Sequence, residues 1–472
     1  MSRRQTVPLV LSLGLALALG LLAAGCGEPK HDGRTLSEWM ERLGSLDETH
    51  GLEAAHALAA MGAEAAEASG ALFHALGTAA PEVRAAAFEA LEKVDPATLR
   101  RALIALRRGG GDSIMALGAV LKREDPHLRL KAMEGVHDLA PKDPARALSV
   151  LDAYAKDDDN KIRYLAIATY QKLGEYAAGS AAILQAALGD EVGAVRAAAL
   201  RSLAWLGPAA HPALAQISER LADDEPAVRR AAATTIGRLG GPARAAAPDL
   251  AALLHDEDAE VRKAAAVALG LLKRIGRDPV IALGAAITDA DPEVSKAALQ
   301  SLQALGPGAA AALPALRRAL SGAAETRLAA VSAIARIGPA AAVAADDVAE
   351  LLDDPDARVA ARAAAALARM GAGAKAAVPK LVEAFARSER EVRMVVAAAL
   401  GALAARPDLS VPALIRALKD ESVPVRASAA QSLGRFGKAA AAAIPELERL
   451  KADRDVTVRR NAAKSLKMIR EA

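Results

Sequence analysis

DDEPAVRRAAATTIGRLG, residues 223–240, contains the pattern that decides the fold. Asp223 precedes Arg229 by six residues, and Ala232, Ile236 and Leu239 follow that arginine at positions +3, +7 and +10. This spacing places the three apolar residues on one face of a helix. A small side chain beside large ones predicts helices that pack closely against their neighbours.

The same charged residues recur through most of the chain with a period of 33 residues. The arginines are Arg163, Arg196, Arg229, Arg262, Arg393, Arg426 and Arg459. The aspartates six residues earlier are Asp157, Asp190, Asp223, Asp256, Asp420 and Asp453. A period held this long predicts one supersecondary unit stacked many times.

Each unit also contains signals for the ends of its helices. Glycines that can adopt a positive φ follow the last apolar residue and predict helix C-termini: Gly174, Gly207, Gly240, Gly306, Gly338, Gly371 and Gly437. Prolines suited to a first helical turn come next in several units: Pro314, Pro379, Pro412 and Pro445. The predicted unit is helix A, a short turn with the aspartate, helix B beginning near the arginine, and a loop.

These features resemble a HEAT-repeat array of the short bacterial kind found in phycobilin lyases. The resemblance rests on the D-x₅-R pair, the V-R-x-x-A start of helix B and the L-G stop, over residues 35–471. It implies an all-α, right-handed α-solenoid of about 13 stacked helix pairs. It also implies that the aspartates and arginines form a structural ladder of hydrogen bonds. Ankyrin repeats have a similar length, but their T-P-L-H signature is missing.

The period has several irregularities. The gap from Arg84 to Arg129 is 45 residues, which predicts an irregular insertion around residues 96–112. Ser295 and Ala360 stand where arginine is expected, and two further units lack the aspartate, at Ser321 and Arg387. Arg327 comes one residue early. We expect these substitutions to weaken the ladder locally.

The N-terminus predicts export and lipid attachment. Residues 1–25 have the basic and apolar regions of a signal peptide. The segment that ends Leu22-Ala23-Ala24-Gly25-Cys26 resembles a bacterial lipobox, which implies a lipid on Cys26, the single cysteine. Residues 26–34 then form a short linker, and Thr35 with Glu38 predicts a capping box before a helix that contains Trp39. The absence of Asp after Cys26 implies, by resemblance to enterobacterial lipoproteins, an outer-membrane location that faces the periplasm or cell surface.

Composition argues against several kinds of chemistry. The net charge of +3, about +1 without Arg3 and Arg4, gives no electrostatic signature of nucleic-acid binding. The eight histidines form no H-E-x-x-H pattern, so we expect no metal. Gly109–Gly111 lacks the lysine of a phosphate loop, and no nucleophile motif is present. We expect no cofactor and no enzymatic activity, because a strictly periodic Asp–Arg pair indicates a structural role.

Aromatic residues cluster in one part of the chain. All four tyrosines lie between residues 154 and 176, and Trp205 follows one repeat later. Tyr170 is at core position +7, whereas Tyr164 and Trp205 lie off the core face. Tyr154, Tyr164 and Trp205 are therefore a candidate site for a protein partner, since tyrosine and tryptophan dominate interface energies. Local packing is the alternative.

The resemblance also implies that the B helices line the concave face of the stack. Off-stripe residues there are small or weakly polar, which predicts a smooth, glycine-dotted groove: Ala204, Gly237, Gly270, Ala335, Gly401 and Gly434.

The predicted function is a non-enzymatic scaffold for protein–protein interaction, anchored by lipid at the bacterial envelope. Its partners would be proteins bound to the concave face and the membrane reached through Cys26. An accessory or maturation subunit of an envelope enzyme complex is the main alternative. A phycobilin-lyase-like enzyme and a cytoplasmic repeat protein with a misinterpreted N-terminus are weaker ones.

Overall fold

A computed structural model describes residues 27–45, 47–98, 106–107, 113–122 and 125–472. The signal segment, Cys26 and most of the predicted insertion at 96–112 lie outside these residues. Contacts divide the chain into two compact units, up to Ala177 and from Ala178 onward. We call them the first unit and the second unit.

Thirteen helix pairs follow one another in the described residues, with odd-numbered A helices and even-numbered B helices. The first unit contains α1 Leu36–Leu43, α2 Glu48–Met61, α3 Ser69–Thr78, α4 Pro81–Val94, α5 Ser113–Val120, α6 Pro126–Leu139, α7 Pro144–Tyr154 and α8 Asn160–Leu173. The second unit begins with α9 Ala181–Ala187, α10 Gly193–Leu203, α11 Leu214–Glu219, α12 Pro226–Leu239, α13 Ala247–Ala252, α14 Ala259–Leu272, α15 Arg277–Ala285, α16 Pro292–Leu305 and α17 Leu313–Ala319. It continues with α18 Ala324–Ile337, α19 Ala345–Glu350, α20 Ala357–Met370, α21 Val378–Arg387, α22 Arg390–Leu403, α23 Pro407–Ala417, α24 Val423–Gly434, α25 Ile444–Leu450 and α26 Val456–Glu471. The predicted all-α stack of helix pairs is confirmed.

The B helices begin and end where local chemistry directs. An aspartate four residues before the arginine accepts hydrogen bonds from the first N–H groups of several B helices: Asp159, Asp258, Asp291, Asp356 and Asp455. All seven predicted C-terminal glycines have φ between 53° and 75°. Lys273 and Ala404 occupy the same position in two repeats without the glycine, and they also adopt positive φ, 65° and 45°. The stack therefore imposes this conformation even on residues that tolerate it poorly.

The core lies between the helices at the predicted positions. In α12, Ala232 and Ile236 are completely buried. The corresponding residues of α14, Ala265 and Leu269, are buried in the same way, and the two helices pack directly against each other. Alanine at +3 lets the helix axes approach, and the larger residue at +7 fills the space between layers.

The first residues fold back on the stack instead of forming a plain linker. Strand β1, Lys30–His31, pairs in antiparallel fashion with β2, Arg34–Thr35. The predicted capping box at Thr35 and Glu38 is present. Trp39 is 3% exposed, and its indole Nε1 donates to the carbonyl of His31 at 3.0 Å. Hydrogen bonding to the ribbon therefore holds this polar segment against α1.

Two details differ from simple sequence expectations. Pro412 lies inside α23 rather than in its first turn, because left-handed residues Ala404 and Arg406 turn the chain early and the helix begins at Pro407. Residues 324–353 are long and apolar enough to resemble a membrane span, but 56% of the most apolar window is buried in the fold. The chain also turns at Gly338 within this segment, where φ is 75°.

Candidate functional site

The periodic arginine joins two consecutive repeats. In α12, Arg229 donates from one terminal nitrogen to the main-chain carbonyls of Asp223 and Asp224, at 2.9 and 3.1 Å. Its Nε and other terminal nitrogen donate to the two carboxylate oxygens of Asp256 in the next repeat, at 2.7 and 2.9 Å. The aspartate of its own repeat therefore contributes a main-chain carbonyl, and the ion pair is formed with the aspartate 27 residues later.

We call each arginine and the aspartate of the next repeat a rung. Rungs with two carboxylate contacts are Arg196–Asp223, Arg229–Asp256, Arg262–Asp289, Arg327–Asp354, Arg393–Asp420 and Arg426–Asp453. Arg129 pairs with Asp157 through one nitrogen. Arg163 binds the carbonyls of Asp157 and Asp158. Asp190 accepts the N–H of Val192, and Arg459 binds the carbonyls of Asp453 and Arg454.

The ladder aspartates stay ionised because of these bonds. Hydrogen bonding from Arg262 lowers the pKa of Asp289, and hydrogen bonding from Arg426 lowers that of Asp453. Burial alone would raise the pKa of Asp223, but the bonds from Arg196 and from the N–H of Glu225 outweigh burial and lower it. Such partly buried pairs are stable only when each charged group has hydrogen-bond partners.

The two interruptions of the ladder each remove both members of one rung. Ser295 replaces an arginine, and Ser321 stands at the position of its aspartate in the next repeat. Ala360 replaces a second arginine, and Arg387 stands at the position of the corresponding aspartate. Because both partners are absent together, neither gap leaves a half-buried ladder charge without its counterion. A lone charge in that position would be more costly than an absent rung.

Sequence reasoning missed two ladder residues, Asp289 and Asp354. Their own repeats lack the arginine, at Ser295 and Ala360, so they fail the D-x₅-R pattern. They nevertheless pair with Arg262 and Arg327 of the preceding repeats. A search for arginine and aspartate 27 residues apart would have found both.

The candidate partner residues are in different environments. Trp205, just past α10, is 45% exposed, and the guanidinium of Arg238 from α12 stacks 3.8 Å from its ring centroid. Tyr164 is 37% exposed in the first turn of α8 in the first unit. Tyr154 is half-buried at the end of α7, beside the rung of Arg129, and burial raises the pKa of its hydroxyl. Trp205 therefore presents the largest of the three aromatic surfaces.

Tyr170 is in the core, as its position predicted. Its side chain is completely buried, and the hydroxyl donates to the carboxylate of Asp152 at 2.6 Å. This hydrogen bond satisfies the polar end of an otherwise apolar contact.

The predicted glycine-dotted groove is wrong. Gly237, Gly270, Gly401 and Gly434 are buried, and each faces the next B helix. A Cβ on Gly270 would lie 2.9 Å from the Cα of Ser301. These glycines allow adjacent B helices to touch, a role that the sequence pattern of one helix cannot reveal.

The exposed face of the B helices has a different composition. In α10 to α26, positions +1, +5 and +9 carry basic, neutral polar, small or apolar residues and no carboxylate. Trp205, Arg238 and Leu271 occupy position +9 in three consecutive repeats, and Leu271 is 50% exposed. We call this surface of the second unit the B face. In the described residues, no group of three or more His, Cys, Asp or Glu side chains could hold a metal ion.

Comparisons with known proteins agree with this architecture. The family model described as HEAT repeats matches residues 152–234, 180–270, 214–303, 247–335, 321–401 and 379–467. No curated protein sequence matches the chain.

Several solved structures resemble the chain in fold. An engineered protein shares 21% identity over 76% of this chain and 98% of its own, with a TM-score of 0.48. Kap121p shares 15% over 92% of this chain and 52% of its own, with a TM-score of 0.47, so this chain spans about half its length. Importin beta shares 14% over 92% and 72%, with a TM-score of 0.46. Since the repeat model covers more than half of the sequence, the chain belongs to the HEAT-repeat family.

Proposed function

We propose that this protein is a non-enzymatic scaffold that binds protein partners on its B helices and is anchored by lipid to the bacterial envelope. The observation that carries the binding role is the exposed stack of Trp205 and Arg238, next to exposed Leu271. Tryptophan and arginine are enriched in the residues that dominate interface energies. An apolar ring left 45% exposed is available to be covered by a partner.

The repeat array supports a binding role rather than catalysis. The conspicuous charges, such as those of Arg229 and Asp256, are used in the ladder, where they connect adjacent repeats. They are thus committed to holding the stack together. A repeat stack offers an extended surface assembled from many equivalent helices, which suits large or elongated partners.

Replacing Tyr164 and Trp205 together by alanine is expected to reduce partner binding by at least about 30-fold, since a central aromatic anchor contributes ~2 kcal/mol or more. A photocrosslinking amino acid at Leu271, beside Trp205, would report the partner in cells, with and without the double substitution. The control is Tyr176→Ala, because that ring is 75% exposed but lies in the Gly174–Ser180 segment rather than in a B helix. Unchanged crosslinking in a folded double variant would refute the binding role.

The anchoring part of the proposal rests on residues 1–26 and the lipobox-like segment before Cys26. Attached acyl chains contribute ~0.8 kcal/mol per buried CH₂, and two or more chains give stable membrane attachment. Since Gly27 follows Cys26, we propose the outer membrane as the destination.

Cys26→Ala is expected to abolish incorporation of labelled palmitate and to move the protein out of the membrane fraction. No other cysteine in the sequence could accept the lipid in its place. Cys26→Ala and the wild type should show the same thermal unfolding of the repeat array, which controls for misfolding. Equal palmitate labelling of both forms would rule out Cys26 as the attachment site.

A further inference from the structure

Four arginines of the B face surround two adjacent cavities in the second unit. A cavity of about 250 Å³ is lined by Arg336, Arg362 and Arg369. The neighbouring cavity, about 380 Å³, is lined by Arg369 and Arg435. The two cavities share Arg369 and run across α18, α20, α22 and α24. We call this surface the arginine groove.

The groove is cationic because its arginines are not neutralised within the chain. In the part of the chain that the structure describes, none of the four forms a salt bridge, and no carboxylate lines either cavity. Elsewhere in the second unit exposed arginines do pair, as Arg317 with Asp347 and Arg358 with Asp356. Like charges gathered in a recess produce a local positive potential that attracts anions.

One of these guanidinium groups is held in place. The Nε of Arg369 donates to the carbonyl of Ala335 on the preceding B helix at 2.7 Å. This bond orients the planar guanidinium and leaves its two terminal nitrogens to face the groove. A guanidinium presents parallel N–H groups that match the two oxygens of a carboxylate.

The walls of the groove suit a polypeptide main chain. Ala365, Ala398 and Ala402 form a shallow apolar floor that lets a backbone approach closely. Gln431 and Ser428 supply hydrogen-bonding groups for peptide N–H and C=O groups. No aromatic residue lines the two cavities, so single-stranded nucleic acid would find no surface on which to stack its bases. The chemistry favours an acidic peptide over a nucleic acid.

The repeat spacing sets the pattern of acidic residues that would fit. Adjacent packed helices lie ~8–10 Å apart, and an extended chain advances ~3.3 Å per residue. One repeat therefore corresponds to about three residues of an extended partner. Arg336 and Arg369 belong to consecutive repeats, and Arg435 lies two repeats further on.

We propose that the arginine groove binds an extended acidic segment of a partner protein, with carboxylates at positions i, i+3 and i+9 paired with Arg336, Arg369 and Arg435. The inference rests on the proposed scaffold function and adds the chemistry of the partner.

The test uses the full chain and a fluorescent peptide with glutamates at positions 1, 4 and 10 in a Gly/Ser background, followed by anisotropy at low and physiological salt. The expected result is saturable, salt-sensitive binding that weakens about 10-fold or more in the triple variant Arg336→Gln, Arg369→Gln, Arg435→Gln. The matched control replaces three exposed arginines outside the groove, Arg244, Arg274 and Arg318, by glutamine. Because it loses the same charge, it should bind within about twofold of the wild type.

Three results would overturn the inference. They are no binding of the spaced peptide at low salt, equal losses in the two triple variants, or tighter binding of an oligothymidylate than of the peptide. A peptide with three adjacent glutamates controls for net charge and should bind more weakly. If the spaced peptide fails while crosslinking at Leu271 persists, the acidic specificity is wrong and the scaffold function remains. If both fail, the scaffold function fails as well.

Discussion

Arg229→Ala is expected to lower the free energy of unfolding by about 3–5 kcal/mol, the usual cost of removing one partner from a buried ion pair. The variant loses four hydrogen bonds and leaves the carboxylate of Asp256, whose side chain is only 6% exposed, without its principal counterion. The effect should concentrate in α12 and α14, because repeat arrays depend on contacts between neighbours. Urea denaturation with amide hydrogen exchange of these helices measures it.

The adjacent Arg230 is the matched control for this substitution. It is exposed on the same helix and belongs to no rung, so Arg230→Ala should change stability by no more than about 0.5 kcal/mol. Adding Asp256→Asn to Arg229→Ala removes the unpaired charge and keeps a side-chain acceptor, so the double variant should be more stable than the sum of the single effects. Purely additive effects would mean that the rung contributes no coupling.

The cost of Arg229→Ala should also depend on pH. Burial would raise the pKa of Asp256, but the bonds from Arg229 and from the N–H of Asp258 outweigh burial and lower it. A carboxylate with a lowered folded-state pKa stabilises the fold above its unfolded pKa, about 3.9, and loses that contribution as the pH falls through the folded value. The stability difference between wild type and variant should therefore be complete at pH 7 and shrink below about pH 4. A constant difference down to pH 2 would contradict the ion pair as its source.

Gly401→Ala is expected to destabilise the protein by about 1–3 kcal/mol, although alanine normally favours helices. A Cβ at this position would lie 2.7 Å from the Cα of Ser432 and closer still to that serine's side chain. The backbone of α24 would have to move away from α22, which separates the two layers. Chemical denaturation of the purified variant would show the loss.

Gly70→Ala tests the opposite sign with the same substitution. Gly70 is exposed in α3, and a Cβ there would meet nothing within 4 Å. Alanine should stabilise this helix by about 0.4–1 kcal/mol by reducing the freedom of the unfolded chain. Ser432→Gly should partly rescue Gly401→Ala, because it removes the side chain in conflict but leaves the close Cα. Stabilisation by Gly401→Ala would refute close helix contact at this position.

The local features of the repeat could be predicted because neighbouring residues determine them. The apolar spacing of Ala232 and Ile236 identified the buried face of helix B, and Gly240 marked its end. Thr35 and Glu38 identified the first helix cap. Each signal acts within one or two helical turns, so no knowledge of packing was needed.

The candidate binding surface was only partly predictable. The off-core position of Trp205 identified an exposed ring, but its stacking partner Arg238 comes from the next repeat. The basic character of the B face was also hidden, because its arginines are 33 or more residues apart and acidic residues elsewhere keep the net charge at +3. Only their placement on consecutive helices brings Arg336, Arg362 and Arg369 to one cavity.

The sequence by itself determined the repeat, the two helices of each unit and the residues of the core, because a period of 33 residues and helical spacing are properties of the chain. The tertiary structure decided how the repeats connect. Arginine pairs with the aspartate of the next repeat, both partners disappear together where a rung is missing, and Gly401 lies at a contact between helices. These relations depend on which surfaces meet when one repeat packs on another, and the spacing within a single repeat does not specify them.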